Sequence, residues 1–148
     1  MNWLYNNKEL NEVSDEVFGF VYKITCNKTG RSYIGKKQTV SVRNVPLTKK
    51  DILEWKESHT GGRAPKKKQV IKPSKWQNYW GSNPDFLIHV KEHGLENFTR
   101  EVLKLCYNKK QLTYWETRYQ FSEGVLENGD KFFNDNISGR FFRKDLDD

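Results

Sequence analysis

The sequence predicts a small α+β domain: a three-stranded antiparallel sheet flanked by helices, in the order β-β-(α)-loop-α-β-α-tail. Three observations predict it. Two short runs rich in β-branched and aromatic residues, 19–25 (GFVYKIT) and 31–35 (RSYIG), flank an Asn27-Lys28-Thr29-Gly30 turn, the pattern of an antiparallel hairpin. Two later segments carry helix punctuation: 84–93, opened by Pro84 and followed by Gly94, and 110–123, followed by Gly124. A length of 148 residues is room for one domain with one sizeable core.

Taken in order, the first fifteen residues mix Trp3, Leu4, Tyr5 and Leu10 with Asn, Lys and Glu, and read as a short leader packed on the core. The hairpin follows. Residues 40–43 read as the start of a helix, which Pro46 limits. Residues 46–75 read as a basic loop inserted in a single domain spanning 1–148, whose core runs from about 19 to 142. The stretch 75–82 (KWQNYWGS) is an aromatic turn, and 84–93 is a helix. In 97–106 (NFTREVLKLC), Phe98, Arg100, Val102, Lys104 and Cys106 alternate with their neighbours, which suits the third strand. The clearest helix is 110–123, and the tail, 131–142, finishes in another short strand. No internal repeat is present.

Composition narrows the function. With 30% charged and 35% hydrophobic residues the chain is an ordinary globular one. No apolar run reaches the roughly 18 residues of a membrane span, and the start has no signal-peptide pattern. Cys26 and Cys106 are too few for a disulfide framework and lack zinc-pair spacing, so the expected compartment is reducing. The distinctive property is charge: 26 Lys and Arg against 19 Asp and Glu, with 21 aromatic residues. Basic plus aromatic points to a polyanion, nucleic acid first. Between 46 and 75, nine basic residues against three acidic leave +6 of the total +7. Arg63, Lys66, Lys67, Lys68, Lys72 and Lys75 meet no acid after Thr60, and Gly61, Gly62 and Pro65 interrupt the segment. This is the expected phosphate-binding loop, giving salt-dependent affinity and little sequence choice.

Tyr22 and Tyr33 stand in the two hairpin strands with ten residues between them. FVY (20–22) and YIG (33–35) at that spacing resemble the two halves of the GIY-YIG nuclease signature, although Phe20 replaces the usual first-half glycine. Further features follow in the family's order. Arg43 lies eight residues after Gly35, where the family places an arginine on its first helix; 75–82 resembles the Trp-x-x-Tyr-x-Gly-Ser stretch of phage-type, homing-endonuclease-like members. Residues 94–106 resemble their Gly-x-x-Asn-Phe-x-x-Glu-x-Leu segment, and 112–121 the helix bearing the metal-binding glutamate, here Glu116. FFNDN (132–136) matches the late asparagine, with Asn134 favoured over Asn136. The likeness spans about 19–136.

The resemblance implies a metal-dependent DNA endonuclease, with duplex DNA as substrate, Mg²⁺ (or Mn²⁺) as cofactor, and the cytoplasm of a bacterial or phage-infected cell as its place of action. The residue chemistry is consistent with this. Phosphodiester hydrolysis needs an activated water, a stabilised pentacovalent phosphate and a helped leaving oxygen. One carboxylate can hold Mg²⁺ when waters and phosphate oxygens complete its octahedron. At about 100° per residue, Leu112, Trp115 and Tyr119 share an arc that Glu116 borders, so the carboxylate is expected to face inward. By resemblance, Tyr22 is the candidate general base and Tyr33 its partner in positioning water or phosphate. A free phenol is only about one part in a thousand ionised at neutral pH, so nearby cations must favour the phenolate. Arg43 offers a planar fork for phosphate oxygens, one of Lys36 and Lys37 reaches the phosphate, and the asparagine holds Glu116 or a tyrosine.

Weaker signals remain. His89 and His93 stand four apart, a zinc spacing with no third ligand apparent in the sequence, and read as packing residues at a helix end. Trp76 and Trp80 read as packing in the aromatic turn; Trp55 could stack on unpaired bases. Phage-type members usually carry a separate DNA-recognition domain after the nuclease, for which this chain has no space. Specificity is therefore expected to come from the basic loop, a dimer or other oligomer, or a partner protein, or to be slight. The competing reading is a non-catalytic basic DNA-binding module on the same fold.

Overall fold

The opening residues form strands in this computed structural model, which describes residues 2–146. Trp3–Tyr5 (β1) and Lys8–Leu10 (β2) pair across Asn6 and Asn7, both left-handed at φ 51° and 64°. That is the conformation a two-residue I′ hairpin turn demands and asparagine tolerates. Gly19–Cys26 (β3) and Ser32–Gln38 (β4) make the expected hairpin. Val40–Pro46 (β5), Lys49–Ser58 (α1) and Lys67–Pro73 (β6) follow, then Pro84–His93 (α2), Phe98–Cys106 (β7) and Lys109–Ser122 (α3). Two-residue strands Asn136–Ile137 (β8) and Phe141–Phe142 (β9) close the tail.

The chain forms two compact units, one from the segments up to Thr39 and from Lys75 onward, the other from Val40–Ser74. In the first, five strands run in the order β2-β1-β7-β3-β4. The sheet is mixed, because β1 lies parallel to β7 while the other pairs are antiparallel. The expected three-stranded antiparallel sheet is thus its β7-β3-β4 portion. β1 and β2, three residues each, are too short to show a period in the sequence, and they gain their definition by extending the β7 edge.

β3 lies between β7 and β4 and is covered on both faces, which is why it reads as a nearly continuous apolar run. Phe20, Tyr22, Ile24 and Cys26 point to one layer, with Trp3, Trp76, Phe86, Val90 and Phe98. Val21 points to the other, with Ile34, Leu112, Val125, Leu126, Phe132 and Ile137 beneath α3 and the tail. In β7 the alternation expected through Cys106 is broken. Tyr22 pairs with Val102 but Val21 with Lys104, so Leu103 is an extra, bulged residue. Phe98 and Val102 therefore pack in the first layer and Cys106 in the second. Phe20, fully buried, fills the first layer against Trp3 and Trp76 at ring separations of 5.0 and 5.7 Å. Buried Arg100 lies 4.6 and 4.3 Å from the Trp3 and Trp80 rings and donates to the Gln77 and Tyr79 carbonyls, tying the aromatic turn to the sheet.

The second unit corrects two expectations. Residues 40–43 extend β5 instead of opening a helix, since Val40, Val42 and Val45 favour the pleated surface of a ribbon with β6. The segment 46–75 is no continuous loop. Thr48 caps α1 reciprocally with Asp51, a capping box that defines the helix start, and the loop proper shrinks to about 59–66. Lys68 reaches Asp51 at 2.8 Å, joining β6 to α1.

Candidate active site

The β3–β4 register sets Tyr22 opposite Gly35 and Ile24 opposite Tyr33. The Tyr22 ring lies over Gly35: a Cβ there would stand 2.6 Å from the Tyr22 hydroxyl. The glycine of the YIG run is thus required by close approach, not by a left-handed turn. Tyr22 is 1% exposed, its ring 6.3 Å from Tyr33 and 5.9 Å from Tyr79, with which its hydroxyl is hydrogen-bonded. Tyr33 stacks on Phe86 at 5.6 Å and bonds Ser82. Burial, aided by neighbouring tyrosines, holds the Tyr22 phenol well above its ordinary range. Burial and then the Glu116 charge push Tyr33 up to about 12. The expected cations do not offset this: Lys36 sits on Glu116, and the Lys37 ammonium lies 4.7 Å over the Tyr79 ring.

α3 begins at an Asn108 cap on Gln111 and packs Leu112 into the core. This fixes the helix rotation and turns Glu116 inward, its side chain only 16% exposed. Burial raises its carboxyl, and Lys36 at 3.8 Å opposes the shift. One turn on, Gln120 donates Nε2 to the Ile34 carbonyl at 3.1 Å, while its buried Oε1 has no partner. Asn134 is 3% exposed and grips the same residue: its Oδ1 accepts from Ile34 N at 3.1 Å and its Nδ2 donates to Ile34 O at 2.7 Å. The asparagine therefore braces the β4 backbone between Tyr33 and Gly35, where a bond to Glu116 or a tyrosine was expected. Asn136 bonds Asp135 and Gly139 instead.

Tyr33, Glu116, Gln120, Asn134, Asp135 and Asn136 line a polar cavity of about 160 Å³. Tyr22 lies behind Tyr33. Arg43 is exposed on β5 opposite Val70, in the second unit. Arg63 and Lys66 are exposed in the loop, Lys67 and Lys72 are exposed on β6, and Lys75 is exposed beside the aromatic turn. Lys68 is engaged with Asp51. His89 and His93 do have a third neighbour: with Glu92 they place ligand atoms within 4.8 Å of one another. His89 meanwhile packs against Phe133 at 4.9 Å and meets the Thr29 hydroxyl at 3.2 Å, and burial lowers its imidazole below the usual range.

Three site residues escape the sequence reading. Gln120 was legible in principle, since it stands four residues after Glu116 on the same helical face. Tyr79 lies inside the recognised aromatic turn but gains its role only when Arg100 fixes that turn. Asp135 is brought in by the tail, for which no periodicity speaks. A family model for the endonuclease segE, GIY-YIG domain, matches residues 3–137. Searches of curated proteins and of solved structures each found no match. Among the described residues no helix is long and apolar enough to cross a membrane. The matched span takes in both tyrosine strands, the glutamate helix and the asparagine tail, and the chain belongs to the SegE GIY-YIG endonuclease family.

Proposed function

We propose that the protein is a divalent-metal-dependent endonuclease that hydrolyses phosphodiester bonds of duplex DNA. The observation that carries this reading is the convergence of Tyr33 from β4, Glu116 and Gln120 from α3, and Asn134 from the tail on one polar cavity. The donor set suits a hard cation: an inward carboxylate, a buried amide oxygen without a partner, and a second carboxylate at the mouth. Glu116 would hold the ion, with Gln120 Oε1 and Asp135 as further oxygens. A bound Mg²⁺ or Mn²⁺ would stabilise charge on the phosphate oxygens and acidify water beside it.

The chain's own groups have these parts. Lys36, 3.8 Å from Glu116, offsets the carboxylate charge at the site where the ion would be held. The Tyr33 hydroxyl, at the cavity wall, orients the attacking water or the phosphate and carries its proton at Oη; burial keeps it a donor at neutral pH. Tyr22, its hydroxyl paired with Tyr79, packs beside the Tyr33 ring and supports it. Asn134 sets the β4 backbone and hence the position of Tyr33. Water oxygen bonds to phosphorus and gives up one proton, the bond to the leaving oxygen breaks, and that oxygen takes up one proton, so the step is proton-neutral. Arg43, in the second unit, is assigned to DNA-phosphate binding there, together with Arg63, Lys66, Lys67 and Lys72; Lys75 contributes from the first unit.

A supercoiled plasmid incubated with the protein, with and without Mg²⁺, tests the reading. Metal-dependent nicking or linearisation is expected from wild type and not from Glu116→Gln. Equal cutting by a folded Glu116→Gln protein would remove the glutamate from the chemistry. Salt-dependent DNA binding without cutting at any metal concentration would leave a binding module.

A further inference from the structure

The second unit is a two-stranded ribbon with a helix on one side only. Its register sets Val42 opposite Ile71, Asn44 opposite Gln69 and Pro46 opposite Lys67. Side chains alternate across a strand, so these pairs share one face while Arg43, Val45, Lys68 and Val70 share the other. The Lys68–Asp51 ion pair identifies the second face as the one turned to α1. The first face carries no helix. Val42 is 41% and Ile71 62% exposed, and Asn44, Lys67 and Gln69 are exposed as well.

From this we infer that the free face of the β5–β6 ribbon reads base edges in the major groove of duplex DNA, at a step containing A·T pairs. The inference rests on the DNA-endonuclease reading above. The occupant follows from charge and from side-chain chemistry. Val40–Ser74 carries nine Lys and Arg against three Asp and Glu, so the whole unit presents itself to a polyanion. The centre of the free face is nevertheless uncharged. A surface that only neutralised phosphates would place lysines there; this one places Lys67 at its margin and amides beside β-branched side chains in the middle. Asn and Gln match the N6 donor and N7 acceptor of adenine, and apolar side chains match the thymine methyl. A two-stranded ribbon fits a major groove about 12 Å wide and not a minor groove of about 6 Å. In A-form RNA the major groove is too deep and narrow to admit it. The basic segment, expected to bind without sequence choice, thus acquires a reading surface once it folds as a ribbon.

The test uses the full chain with Glu116→Gln, to stop cleavage, and a randomised DNA duplex library. Wild-type ribbon is expected to enrich sites with a short A·T-containing core. Asn44→Ala and Gln69→Ala should each flatten preference at one base position by about tenfold. The salt slope should stay unchanged, because neither residue neutralises a phosphate. Val42→Ser with Ile71→Ser should erase discrimination of thymine from uracil. As a probe independent of protein folding, 7-deazaadenine in the selected site should weaken binding of the unaltered ribbon similarly. Salt-dependent but sequence-blind binding, preferences unmoved by the ribbon variants, or equal binding of duplex RNA would each overturn the inference and leave the nuclease reading standing. Failure to bind any duplex at low salt would overturn both.

Discussion

Replacing Asn134 by alanine separates a brace from a chemical participant. The side chain is buried and makes two bonds to one peptide unit pair, at 3.1 Å from Ile34 N and 2.7 Å to Ile34 O. The carbonyl would keep the Gln120 amide at 3.1 Å. The Ile34 N–H would be left buried without a partner, costing about 1–3 kcal/mol, and loss of the second bond adds about 1 kcal/mol. A total near 2–4 kcal/mol should lower Tm by roughly 5–15 °C in a domain of this size. Val125, Phe132 and the tail remain clamped by Arg143, which also donates to the Asn134 carbonyl, so the tail should stay docked. Urea unfolding gives the stability change; cleavage measured well below the new Tm gives the functional one. We expect a reduced rate with metal affinity nearly intact, because β4 and Tyr33 shift while Glu116 does not. A fully stable Asn134→Ala protein that no longer cuts would refute the brace and make the amide a direct participant.

Tyr33→Phe should cost at most about 1 kcal/mol of stability yet slow cleavage by roughly a hundredfold; normal cutting would show the cavity hydroxyl idle. Tyr22→Phe deletes a buried hydroxyl bonded to Tyr79, so about 1–2 kcal/mol of stability should go with a smaller rate loss; the ratio of the two rate effects, by single-turnover cleavage, checks their order. Neutralising Lys66, Lys67 and Lys68 together should reduce the slope of log K against log salt by roughly 1.8 and not 2.7, at about 0.9 per phosphate contact, because Lys68 is committed to Asp51. Asp51 is held at about 2 against an ordinary 3.8, first by Lys68. A depressed folded value means its contribution to the second unit is fully present above about pH 4 and lost as pH falls through about 2. Amide shifts of α1 followed from pH 5 to 1 should show that loss, and Asp51→Asn should remove its pH dependence.

Elements whose own residues dictate them were legible in the sequence. α2 falls on the expected 84–93, since Pro84 and Gly94 mark both ends, and α3 lies within one residue of the expected helix. The β3–β4 hairpin was legible because β3 is covered on both faces and composed accordingly. The rest was set by partners. β1 is stabilised by a parallel seat beside β7, about a hundred residues away, which no local pattern announces. β5 and β6 were obscured by charge: the lysines that read as a solvated run are distributed over both faces of a ribbon, Lys67 on one and Lys68 on the other, where it reaches Asp51. The capping box at Thr48 and Asp51 was present in the sequence and outweighs the glycines further on.

The site divides along the same line. Glu116 could be aimed from the helical wheel, because Leu112 anchors the rotation of α3. What surrounds it could not. Gln120 and Asn134 converge on the two polar groups of Ile34 across 86 and 100 residues. Their spacing carries no signal of its own; only the outer edge of β4, which the tail bridges at Ser32, gives them a shared target at Ile34. The tyrosines show the opposite dependence. Their positions follow directly from register, but their protonation follows from burial, which chain order does not encode. A phenol that sequence reasoning would ionise beside lysines is instead kept neutral by the core and by Glu116, while those lysines serve a carboxylate and an aromatic ring. The cavity therefore meets its substrate with hydroxyl donors and one shielded carboxylate. On the proposed reading a cation at Glu116 would compete with Lys36 for the carboxylate, which is why metal dependence is the first property to measure.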